Sequence, residues 1–159
     1  MLHSIKTLPP KLLIGMRNHV TLQNRNPFEL WSKFMPRKRE IKNTVNELLY
    51  SVQVYDTHEA PKLTTKFDQW AAVEVENSSD VPDGMESYEL KGGLYAVFIH
   101  VGLPSSFPET MNHIHNEWLP NSEFEVDFRE HFEVLGANYK RNDPTSEEEV
   151  WVPVRIKKR

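Results

Sequence analysis

Glu149 and Trp151 stand two residues apart in the run Glu147-Glu148-Glu149-Val150-Trp151-Val152-Pro153-Val154. On a β-strand that spacing puts both on one face and Val150, Val152 and Val154 on the other. A carboxylate beside an indole on an open sheet face favours a cationic or strongly hydrogen-bonding guest. The acid is partly desolvated there, and a flat cation gains about 0.5 to 2 kcal/mol over each indole. The pattern has an earlier echo in Phe67-Asp68-Gln69-Trp70-Ala71-Ala72-Val73-Glu74-Val75-Glu76, where Asp68 precedes Trp70. The plainer alternative makes the acids solvated strand-entry residues and the tryptophans core side chains with a paired indole N–H.

Other pairings are poorer. His113 and His115, two apart on a helix, point some 200° away from each other and do not chelate one ion, so no metal is expected. Glu130 and His131 are strand neighbours facing opposite sides. No nucleophile elbow, phosphate loop or zinc signature occurs, and no cofactor is expected. Tyr95, Phe98 and His100 lie on one strand, with Phe98 and His100 on one face and Tyr95 opposite; the strand is expected near the centre of the sheet. Phe98, His100 and the earlier His19 join Glu149, Trp151 and Trp70 as candidate ligand-binding residues.

These residues need elements to hold them. Lys11 to Val20 reads as a strand, and Asn26-Pro27 opens a helix running to about Ile41, with asparagine as N-cap and proline in the first turn. Strands follow at Leu48 to Tyr55 and Phe67 to Glu76, then a loop of turn formers from Asn77 to Gly84. The order then repeats: a strand from Leu94 to Val101 after the turn at Gly92-Gly93, a helix capped by Ser105 or Ser106 and reaching Trp118, one strand through Phe124, Val126, Phe128 and Phe132, and a last strand from Glu147 to Ile156. Each half is strand, helix, strand, strand. His19 and His100 are 81 positions apart, as are Trp70 and Trp151, which supports duplication. The expected fold is α+β: two such modules, about 1–78 and 84–159, around a pseudo-twofold axis in one domain, with an antiparallel sheet, both helices on one side and a ligand groove on the other.

A chain of 159 residues with 38% hydrophobic and 26% charged residues fits one globular domain. A net charge of −4 argues against a nucleic-acid surface, and the basic clusters Arg37-Lys38-Arg39 and Arg155 to Arg159 read as solvated ends. There is no cysteine, no apolar run near the roughly 20 residues that span a bilayer, and no signal-peptide core at the start. The expected location is the cytoplasm, without membrane contact.

The ordered set Gly93-Leu94-Tyr95-Ala96-Val97-Phe98, Trp118-Leu119-Pro120-Asn121-Ser122, His131-Phe132-Glu133 and Glu149-Val150-Trp151-Val152-Pro153-Val154 resembles the GyrI-like small-molecule-binding domain, the effector-binding part of many bacterial AraC-type and MerR-type regulators. The resemblance implies a central groove that holds a hydrophobic, often aromatic or cationic ligand through an acid on the last strand, Glu149 by motif position, beside Trp151. Family regulators carry a DNA-binding helix-turn-helix before this domain, whereas this sequence begins almost at once with the first module, so the expectation is a stand-alone small-molecule-binding protein that does not bind DNA itself. Two alternatives come with it: a hydrolase of cyclopropane-bearing alkylating toxins, with Glu149 acting on water, and an inhibitory protein that binds DNA gyrase.

Overall fold

Period-two apolar patterns build strands, and here they build many. The computed structural model describes residues 2–57 and 62–158. In chain order the elements are β1 (Leu2–Leu8), β2 (Lys11–Thr21), α1 (Pro27–Phe34), β3 (Leu49–Tyr55), β4 (Lys66–Glu74), β5 (Glu86–Leu90), β6 (Gly93–Val101), α2 (Phe107–Asn112), β7 (Phe124–Val126), β8 (His131–Leu135) and β9 (Glu147–Ile156). The strands pair antiparallel in a nine-stranded sheet of order β1-β6-β9-β8-β3-β4-β2-β5, with β7 continuing beside β9. The expected α+β class and antiparallel sheet are found, and the long strands β2, β3, β4, β6 and β9 lie within a residue or two of their expected ends.

β1 and β5 fall within the spans of the two expected modules but were not expected as strands. Each crosses to the other half: β1 pairs with β6 and β5 with β2, so the two halves interlock at both edges. The expected strand through Phe124 and Phe132 is two strands, because residues 127 to 130 leave the sheet and Arg129 turns back to bond Asp127 and main-chain oxygens. The helices are also shorter than expected. Asn26 caps α1 as anticipated, its side chain accepting from Glu29 N at 3.2 Å. The α-helix stops at Phe34 and tightens into a 3-10 segment, Met35–Glu40, where Pro36 supplies no N–H. After α2 the chain widens into a π-helical turn, His113–Trp118. Ser106 makes no capping bond to that helix; its hydroxyl bonds Leu103 O instead.

Register locates the axis. Val52 faces Phe132 across the β3–β8 junction, Val52 also faces Trp70, and Phe132 also faces Trp151. Val52 and Phe132 are therefore equivalent residues paired with each other, as an axis between β3 and β8 requires. β6 is not central as expected, since β9 and β8 separate it from the axis. Equivalent residues are 80 apart on β3 and β8, but the tryptophans of β4 and β9 are 81 apart. On β2 and β6 the residues opposite those tryptophans are Arg17 and Val97. The match of His19 with His100 is thus one residue out of register, and a one-residue slip sends a side chain to the other face.

Each face has its own core. On one, α1 packs through Leu30 and Phe34 on Ile14, Ala71 and Val73, while α2 and its π turn pack through Ile114 and Leu119 on Ala96, Phe98, Val150 and Val152. On the other, Tyr50, Val52, Trp70, Tyr95, Val97, Phe132 and Trp151 form a cluster without a helix. Strong curling buries it. Tyr88 of edge strand β5 donates its hydroxyl to Glu130 Oε2 at 2.7 Å, although four strand spacings would put β5 roughly 19 Å from β8 in a flat sheet. Tyr95 of β6 donates to Glu130 O at 2.8 Å from the other flank. Both flanks fold over a concave aromatic core.

Candidate ligand-binding cleft

The concave face holds Glu149, Trp151, Trp70 and His19, but as parts of a packed layer. Trp151 stacks on Phe132 at 5.2 Å and meets Tyr95 edge-on at 5.7 Å, and its Nε1 donates to Glu149 Oε1 at 3.0 Å. Glu149 borders a small hollow of about 210 Å³ with Leu48, Ile99 and Val134. Trp70 packs on Tyr88 at 5.5 Å, and its buried Nε1 has no acceptor. The two tryptophans are 3% and 9% exposed, so they fill this face more than they wall an opening. Asp68, the echo of Glu149, binds Arg17 at 3.4 Å and His19 at 2.8 Å; His19 also lies 3.4 Å from Asp56, in a half-exposed ion cluster at the rim.

Phe98 and His100 do not reach that face. Register sets Phe98 opposite Val150 on the helix side, where its ring meets Trp118 edge-on at 5.1 Å. His100 is held by Thr110 Oγ1 at 2.6 Å and Leu103 O at 3.2 Å, fixing the start of α2 to the sheet. Both side chains pack within the second half, and neither lines the large helix-side cleft. Of the basic clusters, Arg37 pairs with Glu40 at 2.7 Å in the 3-10 segment, while Arg155, near the end of β9, lines that cleft, and Arg159 is outside the described residues.

The large opening lies mainly on the helix side and continues round the start of β8 onto the face where the groove was expected, reaching Tyr88 and Trp151. A cleft of about 1100 Å³ runs between the turn bearing Leu22 and Arg25 and the α2 wall of Phe107, Met111 and His115. Its floor is Gln53, Tyr55, His131, Glu133 and Val150, and its lower end bends round the start of β8 past Glu130 to Trp151. The reason is architectural. Each helix covers its own half, and the strip of sheet along the axis lies between them.

That strip is polar and poor in charge. Gln53 Nε2 donates to Glu133 Oε1 at 3.2 Å, and Gln69 Nε2 donates to Ser51 Oγ at 3.0 Å while its Oε1 accepts from Arg25 Nη2 at 3.2 Å. Burial pushes the Glu133 carboxyl up to about 8; nearby Glu148 adds to this, while Arg25 and the Gln53 hydrogen bond oppose it. Burial raises Glu148 as well, to about 7. Burial, with His115 and Arg129 nearby, pushes His131 down to about 3, and burial also lowers His115. At neutral pH the histidines are uncharged and Glu133 is mostly protonated. The centre of the cleft therefore offers aromatic and aliphatic walls, neutral hydrogen-bonding groups and the Glu133 carboxyl, which ionises when a positive charge arrives, while Arg25, Lys91, Asp127 and Arg129 lie further along its walls.

Glu133, Gln53 and His131 were not among the candidate site residues, although His131-Phe132-Glu133 is one of the segments that carry the resemblance, because Phe132-Glu133-Val134 has the pattern of any strand with a solvated face. The available signal was duplication itself: strands equivalent to each other must meet at the axis, so polar residues on them face a shared cleft and not bulk water.

Curled antiparallel sheet, paired halves and a large cleft over a buried acid define a duplicated α+β small-molecule-binding domain. The GyrI-like small molecule binding domain model matches residues 1–155, and the chain belongs to that family. The transcriptional regulator BrlR of Pseudomonas aeruginosa is 25% identical over 148 residues, 92% of this chain and 53% of that protein, so the chain spans about half the length of this curated relative. The structure of SAV2435 bound to tetraphenylphosphonium superposes with a TM-score of 0.71 at 19% identity, over 98% of this chain and 94% of that one. A hydrolase encoded by lin2189 of Listeria innocua shares the fold with a TM-score of 0.58 at 12% identity, over 96% and 91% of the two chains. No helix among the described residues is long and apolar enough to cross a membrane.

Proposed function

We propose that this domain binds a hydrophobic organic cation in the helix-side cleft, with Glu133 as its counter-ion and without chemical change. One observation carries the reading: a carboxyl buried at the centre of the cleft has an amide, Gln53, as its hydrogen-bond partner in place of a basic group. Ionising it there without a counter-charge costs on the order of 5 kcal/mol relative to water, since its pKa stands at about 8. A cation recovers that cost, and Phe107, Met111 and Tyr55 supply apolar surface for its substituents. A neutral ligand of the same shape has no such partner. Glu149, the acid favoured by motif position, spends one oxygen on the Trp151 indole and supports the aromatic layer behind the cleft.

Tetraphenylphosphonium is a suitable probe, as a bulky cation without N–H groups. Titration calorimetry of the wild type and Glu133→Gln tests the reading: a loss of tenfold or more in affinity is expected, and an unchanged affinity overturns it.

A second reading, hydrolysis of an alkylating substrate, is favoured by the same carboxyl. An acid near 8 with the neutral His131 two residues away on one strand face is poised for proton transfer at neutral pH. Product formation from a cyclopropane-bearing electrophile, lost in Glu133→Gln, would establish it.

A further inference from the structure

A second carboxylate borders the same cleft, and the binding reading leaves it unused. Glu130 is 2% exposed and lies where the cleft rounds the start of β8. Its Oε2 accepts from the Tyr88 hydroxyl at 2.7 Å. Its Oε1 is enclosed and has no donor. Two neighbouring donors are committed elsewhere. Tyr95 bonds the main-chain oxygen of Glu130 at 2.8 Å, and Arg129 is spent on Asp127 at 2.8 Å, Gly92 O at 2.9 Å, Leu94 O at 2.5 Å and Val154 O at 3.3 Å. Arg155, also on the cleft wall, lies in ion-pair range of Glu125 at 3.4 Å and Asp127 at 3.8 Å, although its Nε makes no hydrogen bond. A buried carboxylate oxygen without a donor is unfavourable, and such atoms in folded proteins are completed by water, an ion or a ligand. Tyr88 comes from an edge strand that reaches Glu130 only because the sheet curls, so the fold holds this carboxylate at the cleft.

We propose that Glu130 is a second acceptor in the cleft, which therefore takes an elongated ligand with a cationic or N–H-bearing group at each of two points, Glu133 on the helix side and Glu130 at the bend. The inference rests on the cation-binding reading above. Three residues of chain separate the acids, at most about 10 Å of backbone, and strand alternation directs them to opposite sides of β8. A ligand serving both must follow the bend of the cleft, which selects flexible, two-headed molecules over compact ones.

The test compares pentamidine, a flexible bis-amidine with N–H donors at both ends, with tetraphenylphosphonium, which has none. Calorimetric titrations use the wild type, Glu130→Gln, Glu133→Gln and Tyr88→Phe. In Glu130→Gln the Tyr88 hydroxyl claims the remaining oxygen, so an amide N–H faces the ligand where an acceptor stood. We expect pentamidine to lose tenfold or more while tetraphenylphosphonium changes less than twofold, and Glu133→Gln to weaken both. Tyr88→Phe keeps the carboxylate and releases its second oxygen, so pentamidine should bind as well or better. Equal sensitivity of both probes to Glu130→Gln, or a loss in Tyr88→Phe as large as in Glu130→Gln, would make Glu130 a structural carboxylate and overturn the proposal. A wild type that binds tetraphenylphosphonium and not pentamidine sinks this proposal alone; one that binds neither sinks the cation reading and this proposal together.

Discussion

Gln53 and Glu133 are equivalent residues of the two halves, 80 positions apart, and they hydrogen-bond each other across the pseudo-twofold axis at 3.2 Å. Two glutamates there would repel, and two glutamines would leave the cleft without charge. The halves have diverged to one amide and one acid. That asymmetry gives a nearly symmetric fold a single ionisable centre, with the amide oriented to donate to it.

Glu133→Gln should change stability in a pH-dependent way. The folded-state pKa of Glu133 is raised above its ordinary value to about 8, so between about 4.5 and 8 the folded state binds more protons than the unfolded state. Stability from this group is present at pH 5 and is lost as pH rises through 8. Glutamine does not titrate. Relative to wild type, the variant should therefore gain stability between pH 5 and 8, by up to several kcal/mol, since each pH unit across that window is worth roughly 1.4 kcal/mol. Urea denaturation at the two pH values reads it; a pH-independent difference would contradict the buried state of this carboxyl.

Ligand affinity should depend on pH in the opposite sense. A cation selects the ionised Glu133, whose fraction rises with pH below about 8, and Glu148, near 7, adds negative charge over the same range. Tetraphenylphosphonium affinity should rise by up to tenfold for each pH unit from pH 6 to 8 and then level off. Calorimetry in buffers of different ionisation enthalpy should detect proton release at pH 7. His131, held down near 3, does not titrate in this window.

The two tryptophans should show different costs for the same substitution. Trp151 donates to Glu149, whereas the Trp70 N–H is buried and unpaired. Trp151→Phe removes a hydrogen bond to a carboxylate and part of a stack on Phe132, a loss of about 2 to 3 kcal/mol. Trp70→Phe removes ring area and also an unsatisfied donor, and should cost about 1 kcal/mol less. Urea midpoints of the two variants decide; equal losses would mean that the N–H groups are in equivalent environments.

Much of the architecture was legible because strands with one apolar face announce themselves. Val150, Val152 and Val154 identified the helix side of β9, and Ala71, Val73 and Val75 that of β4, each correctly. β1 and β5 were missed because pairing with the other half, which no local pattern encodes, makes them strands. His100 was misplaced by a one-residue difference between strand offsets, enough to turn a side chain through the sheet. Glu133 could not be told from a solvated residue, since its burial depends on where two helices end, and one of them ends in a π turn. The acid next to a tryptophan was visible in sequence; the acid at the axis needed the register.

Those two acids should respond to substitution in opposite ways. Glu149 bonds Trp151 on the concave side, and Glu133 floors the cleft on the helix side. Glu149→Gln keeps an oxygen that can accept from the indole, so stability should fall by about 1 kcal/mol as a charged acceptor becomes a neutral one. Tetraphenylphosphonium affinity should stay within threefold of wild type, because Glu149 does not line the cleft and lies across the sheet from Glu133, where intervening residues and solvent weaken its field. Glu133→Gln should show the reverse profile: affinity falls tenfold or more at pH 8 while the fold is retained. A double variant should bind no more weakly than Glu133→Gln alone. If Glu149→Gln instead removed most of the affinity with an unchanged urea midpoint, the guest would have to enter the aromatic layer of the concave face, displacing Trp151 from Phe132, and the helix-side cleft would not be the site.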